Sequence, residues 1–132
     1  MKKRLIIAII CLLVGIVALG TILNYTFNPK PRVIAEETAA FSTTATAIQL
    51  EFSDSELKAS KKYLDQVLKI SGEITAIETK SIILNNSVLI NFLGDTLPDV
   101  QIGSVLLIKG RCVGFDELLM QVKVDQAQKL NK

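Results

Sequence analysis

The sequence contains no histidine and no tryptophan. The first absence removes imidazole acid–base chemistry and the common histidine metal sites. Cysteine is scarce as well, with Cys11 and Cys112 making up the full count of two. Cys11 lies in a long apolar run, so Cys112 has no partner in the remainder and no intramolecular disulfide can form there. A lone cysteine in a strand pattern reads as a small core residue and not as a reactive thiol. No internal repeat or low-complexity tract is present. The formal charge of +2 conceals an asymmetry. Five cations, Lys2, Lys3, Arg4, Lys30 and Arg32, flank the apolar run, while from Glu37 to Lys132 ten basic residues face twelve acidic ones. A nucleic-acid module usually carries a basic surface, and this part of the chain is slightly acidic.

What the chain does have is a run of 19 residues without charge, Leu5 to Leu23. At about 1.5 Å per residue a helix of that length spans roughly 28 Å, the thickness of a bilayer's hydrocarbon core. Lys2-Lys3-Arg4 should stay cytoplasmic, which places the C-terminal part on the far side of the membrane. Ala18-Leu19-Gly20 offers a small-x-small cleavage site. The run continues past it through Ile22 and Leu23, and an uncleaved signal anchor over residues 1–27 is favoured over an exported, cleaved chain. Bulky Ile9 and Ile10 ahead of Cys11 argue against lipidation. Tyr25 and Phe27 fall at headgroup depth. Asn28-Pro-Lys-Pro-Arg32 then opens a stiff juxtamembrane linker over residues 28–36, and two charges are few for specific lipid binding.

The remaining segment, residues 37–132, reads as one small domain near the lower size limit for independent folding. Its helical lead-in covers residues 37–65. Glu36 to Glu51 is weakly helical, with Ala39, Ala40, Ala47 and Leu50 in favour and Ser42-Thr-Thr-Ala-Thr46 against. Ser53 or Asp54 can cap a clearer helix, with Glu56 three residues beyond Ser53. Leu57, Ser60, Tyr63 and Leu64 recur on one side of it, and Lys58, Lys61 and Lys62 form a solvated side.

From Val67 the period changes to two, and a barrel is expected over residues 67–125. In the first strand Leu68, Ile70 and Ile74 point one way and Lys69, Ser71 and Glu73 the other. A second strand covers Ser81 to Leu84, Asn85-Asn86-Ser87 turns the chain, and a third runs from Val88 to Phe92. Leu93 to Gly103 is a connection. A fourth strand follows at Val105 to Val113. Gly114-Phe-Asp-Glu117 leads into a fifth, Leu118 to Val124, with Leu118, Met120, Val122 and Val124 inward and a polar tail from Asp125. Gly72 and Gly110 interrupt two of these strands. A glycine weakens a strand, so each marks a bend or a close backbone approach, as a small closed barrel requires.

Ala59-x3-Tyr63, Val67-Leu-Lys-Ile-Ser-Gly72 and Ile102-Gly-Ser-Val-Leu-Leu-Ile-Lys-Gly-Arg-Cys-Val-Gly-Phe115 together resemble the tRNA-anti-like OB-fold family, over about Gln49 to Gln126. The most telling part is Gly103 to Gly114. The resemblance implies a mainly β protein: a five-stranded OB-fold barrel preceded by one or two amphipathic helices and an N-terminal transmembrane helix. It also implies a small bacterial domain behind a membrane segment. The family name describes a fold and does not establish tRNA binding.

OB-folds that hold single strands stack bases on aromatics across their second and third strands inside a basic groove. Here that face offers Leu89, Asn91 and Ile83 or Asn85, none aromatic or basic. A groove formed by Lys69, Lys80, Lys109 and Arg111 would be the candidate ligand site. No nucleophile stands beside a base in a recognisable spacing, so no catalytic residue and no cofactor are expected. Asp95, Asp99, Asp116 and Glu117 lie on connections as solvated turn carboxylates, and no metal site is assigned. The expected function is a non-catalytic, membrane-anchored extracytoplasmic binding or interaction module in the cell envelope. Its partner would be a protein or a small polar ligand, with single-stranded nucleic acid or oligosaccharide binding as the alternative.

Overall fold

Lys2–Phe27 forms one helix, α1, of 26 residues, long and apolar enough to cross a membrane and with no buried side chain. The computed structural model describes residues 1–27 and 33–131 and divides into two compact units, Met1–Arg32 and Val33–Lys132. The proline-rich linker start, Asn28 to Arg32, lies outside the described residues.

The second unit begins with a strand and not a helix. Phe41–Thr44 is β1, and it pairs in parallel with β2, Val67–Ile77. The same Ser/Thr run that weakens a helix suits a strand, because branched threonine restricts χ1 and fits a pleated surface. Thr44 then caps α2, Ala45–Asp54, accepting a hydrogen bond from Ala47 N. The cap of α3, Glu56–Tyr63, is Ser55 and not Ser53 or Asp54. Ser55 does two jobs, since its N–H closes α2 on Glu51 O while its hydroxyl accepts Lys58 N. Glu56 in the first turn and Lys61 and Lys62 in the last suit the helix dipole. Asp65, in the left-handed region at φ 63°, follows the end of α3. The buried residues of α3 are Ala59 and Tyr63, whereas the expected core positions Leu57 and Leu64 are exposed. Eight residues bury one stripe only, and α2 already covers the adjacent core with Ala45, Ile48 and Phe52.

The barrel is closed and five-stranded. β3 (Ser81–Leu84), β4 (Val88–Phe92), β5 (Val105–Asp116) and β6 (Gln121–Lys129) follow β2. The neighbours run β2-β3-β4-β6-β5, and β5 returns to β2 through seven antiparallel pairs, from Val67 opposite Arg111 to Glu73 opposite Val105. β4 and β6 are parallel, and the other barrel pairs are antiparallel. This is the OB-fold. Leu68, Ile70, Ile74, Ile82, Leu84, Val88, Ile90, Ile108, Cys112, Val122 and Val124 fill it and are fully buried. A two-residue turn at Asn85 and Asn86, both with positive φ, joins β3 to β4 with Ser87 N bonded to Leu84 O.

β6 departs from the expected register limits. It starts at Gln121 and continues to Lys129, so the stretch after Asp125 is strand, with Ala127 buried against the core. Leu118 and Met120 do not face inward: Leu118 is 95% exposed and Met120 43%. Asp116 accepts hydrogen bonds from Leu118 N and Leu119 N, which commits residues 117–120 to a turn before pairing resumes.

Gly72 and Gly110 are places of close approach. A Cβ on Gly110 would stand 2.6 Å from Val124 Cγ1 and 3.0 Å from Asp125 O. On Gly72 it would stand 2.9 Å from Asn85 Oδ1 and 3.0 Å from the Cβ atoms of Ala45 and Leu84. The space at Gly72 lets Asn85 reach Glu73 N at 2.6 Å while its amide donates to Thr46 Oγ1 at 3.1 Å. Gly72→Val and Gly110→Val should each destabilise by about 1–3 kcal/mol, the range for overpacking. Gly110→Val should be the worse, because a backbone carbonyl cannot turn aside as the Asn85 side chain can. Urea unfolding of the full chain in detergent micelles, followed by circular dichroism, measures this. An unchanged or raised midpoint in both variants would show that neither glycine is required for closure.

Candidate ligand-binding face

An OB-fold presents ligands with the outer face of its second and third strands, here β3 and β4, flanked by the β2–β3 and β5–β6 loops. Ile83 and Leu89 are paired across these strands, half-buried, with exposed Asn91 beyond them. Leu89 is also opposite Lys123 of β6, whose ammonium is 2.9 Å from Asp116. Thr75 shares the area, but its hydroxyl donates to Ile83 O and accepts from Asn86 N. The face is aliphatic and neutral.

The aromatic rings are elsewhere. Phe52 stacks on Phe115 at 5.3 Å between centroids, lies 6.1 Å from Tyr63, and Tyr63 meets Phe41 edge-on at 5.2 Å. Phe92 also packs against the core. These five are all the aromatics of residues 33–132. They are consumed in seating α2 and α3 on the barrel and in filling it. Tyr63 donates its hydroxyl to Glu51 at 2.8 Å, and Lys62 pairs with the other oxygen of that carboxylate at 2.8 Å. The Lys62 hydrogen bond, with that of Tyr63, holds the Glu51 carboxyl below its ordinary range.

The four expected ligand residues do not share one groove. Lys69, Lys109 and Arg111 lie on the outer face of β2 and β5, with Lys69 opposite Lys109. Lys80 lies apart in the β2–β3 loop, paired with Asp95 at 2.9 Å. Lys109 donates to the carbonyls of Ala35 and Glu37, which fastens the segment before β1 across this face. Arg111 grips Asp125 with two nitrogens, at 3.0 and 2.7 Å, and reaches Asp65 at 3.5 Å. Lys129 donates to Asp99 O. Among the described residues, the cations of this unit left without a partner are Lys58, Lys61 and Lys69.

Of the turn carboxylates, Asp95 and Asp116 are ion-paired as above, and Glu117 meets Glu56 of α3. Among the described residues no three carboxylate or thiol groups stand together as a metal site. The hydrogen bond with Glu117 raises Glu56 above its ordinary pKa, and desolvation and like charge add to this. Cys112 is buried, and that burial pushes its thiol up to about 11 despite a backbone hydrogen bond at Gly114. Sequence reasoning missed the turn at Leu118-Leu119-Met120. Leu118, Met120, Val122 and Val124 alternate as an inward-facing strand does, so the local pattern carried no signal of it.

The fold is thus a small closed barrel of the OB class, preceded in the chain by a helix long and apolar enough to span a membrane. The family model described as tRNA_anti-like matches residues 1–124, and the chain belongs to that family. A crystal structure from Klebsiella pneumoniae subsp. pneumoniae, provisionally named a nucleic acid-binding lipoprotein, is similar to it with a TM-score of 0.57. The two are 18% identical, and the match covers 77% of this chain and 100% of that one, a likeness of fold. No curated protein has a matching sequence.

Two outcomes follow from the titrating groups. With Cys11→Ser in place, Cys112 should resist maleimide at pH 7 until the protein is unfolded in urea, as mass spectrometry would record; prompt native labelling would contradict its burial. A carboxyl whose folded pKa is raised favours the native state increasingly as pH falls through that value, and burdens it above. Glu117→Gln should therefore raise the melting temperature at pH 7, with the gain shrinking as pH falls towards the ordinary glutamate value of 4.5. An equal difference at both pH values would mean that the two carboxylates are uncoupled.

Proposed function

We propose that this protein is a membrane-anchored, extracytoplasmic interaction module that binds a protein or small polar ligand in the cell envelope and performs no chemistry itself. The observation that carries the reading is the placement of the aromatics: every ring of the barrel unit is in or against the core. Base stacking on exposed rings is worth roughly 1–3 kcal/mol per base, and no ring is left to provide it. The same absence weighs against an oligosaccharide. Phosphate neutralisation has little support, since six of the nine described cations of the unit are engaged by carboxylates or carbonyls. The name of the Klebsiella lipoprotein keeps nucleic acid as the second reading, and its envelope character agrees with the anchor. Lys2-Lys3-Arg4 ahead of α1 supports a cytoplasmic N-terminus.

A phosphatase that folds only after export, fused at Lys132, should be active. An inactive fusion made in normal amount would overturn the topology, and the size of the mature chain decides between anchor and cleaved signal. Titration with labelled single-stranded DNA and RNA at low salt should give no saturable binding in the micromolar range. Micromolar, salt-sensitive binding would place nucleic acid first.

A further inference from the structure

The β5–β6 turn is built to project apolar side chains. Leu118 is 95% exposed, Leu119 61% and Met120 43%. This is no loose loop. Asp116 holds two of its amides, Gln49 of α2 donates to Met120 O at 3.3 Å, and Gln121 reaches Asn86 O at 3.4 Å. Met120 sits at φ 55°, an uncommon conformation for a residue with an unbranched apolar side chain. A held, strained backbone that displays leucines to water is the pattern of a contact surface.

Charge says what such a surface would meet. Glu117 is part of the turn, and Glu56 of α3 stands close enough to it for the two carboxyl groups to perturb one another. Among the described residues neither has a cationic partner, whereas Asp116 at the base is neutralised by Lys123. Surfaces that enter a bilayer interface carry lysine and arginine around their apolar residues, and here the rim is acidic. A second copy docked face to face would set like carboxylates against each other. We propose that the turn Glu117–Met120 is a docking tip for a partner protein that presents an apolar recess edged with lysine or arginine. This rests on the reading of the domain as a protein-interaction module and names the surface used.

The chain has no tryptophan, so Leu119→Trp introduces a sole indole at the tip. The full chain bearing it, in nanodiscs of zwitterionic lipid, is titrated with an amphipathic Leu/Lys helical peptide and with its Leu/Glu counterpart. Anionic phosphatidylglycerol vesicles and dilution of the protein itself are further arms. The expected result is a blue shift with the Leu/Lys peptide, weakened at least tenfold by raised salt or by Glu56→Lys with Glu117→Lys, and none with the Leu/Glu peptide. Leu118→Asp, read through the same indole, should weaken it comparably, and Leu64→Asp, away from the turn, should not. A shift with vesicles alone makes the surface a lipid contact, one on self-concentration alone a dimer contact, and either overturns the proposal. Equal response to both peptides, or none, also overturns it while leaving the interaction-module reading standing. Saturable binding of single-stranded nucleic acid would overturn that reading instead.

Discussion

Closure of the barrel depends on two strands passing with almost no side chain between them and their neighbours. β2 is shared among three partners: β1 and β5 along its first half, β3 along its second. Such sharing needs a coiled strand, and the missing Cβ at Gly72 gives Asn85 and Leu84 room to cross it. Gly110 does the same for β6, where Val124 and Ala127 crowd the space that a side chain would take. These two clearances allow the close strand approaches on which closure rests.

The end of the barrel that β sheet leaves open is sealed by α2 and α3. Phe52, Tyr63, Phe115 and Phe41 make one chain of ring contacts across that seal. In a unit with five aromatic residues, spending them on the core decides the character of the surface. What remains outside is aliphatic side chains, amides and charges, with most of the described cations engaged by carboxylates or carbonyls. The physical economy of a small domain, which needs its large side chains for burial, therefore shapes what it can recognise.

The charges tell a similar story. Lys109 and Arg111 serve the fold, one tying the segment before β1 across β2 and β5, the other locking β5 to β6 through Asp125. Elsewhere Glu56 and Glu117 stand near each other, and among the described residues neither has a cationic partner, while Leu118 and Leu119 of the same turn as Glu117 are exposed. The surface is thus uneven. One face is cationic, with Lys109 and Arg111 engaged within the fold and Lys69 unpaired among the described residues, and one tip is apolar and anionic.

Much of this was legible from local pattern. Alternation placed β3 and β4 at their observed limits and the interior side of β2, because a buried face enforces a period of two. The glycines in β2 and β5 announced close approach, because nothing else explains their cost in a strand. Local pattern failed where a distant contact decides. Phe41–Thr44 became a strand because β2 offered it an edge, and Asp125 to Lys129 stayed in the sheet because β5 continued beside it. Leu118 and Met120 alternate like core residues, yet Asp116 and Gln49 bind the backbone there into a turn. The cations were visible in the sequence, but their partners were not. Lys80 meets Asp95 and Arg111 meets Asp125 only once the barrel has closed, and ion pairing across strands is a property of register that no single segment carries.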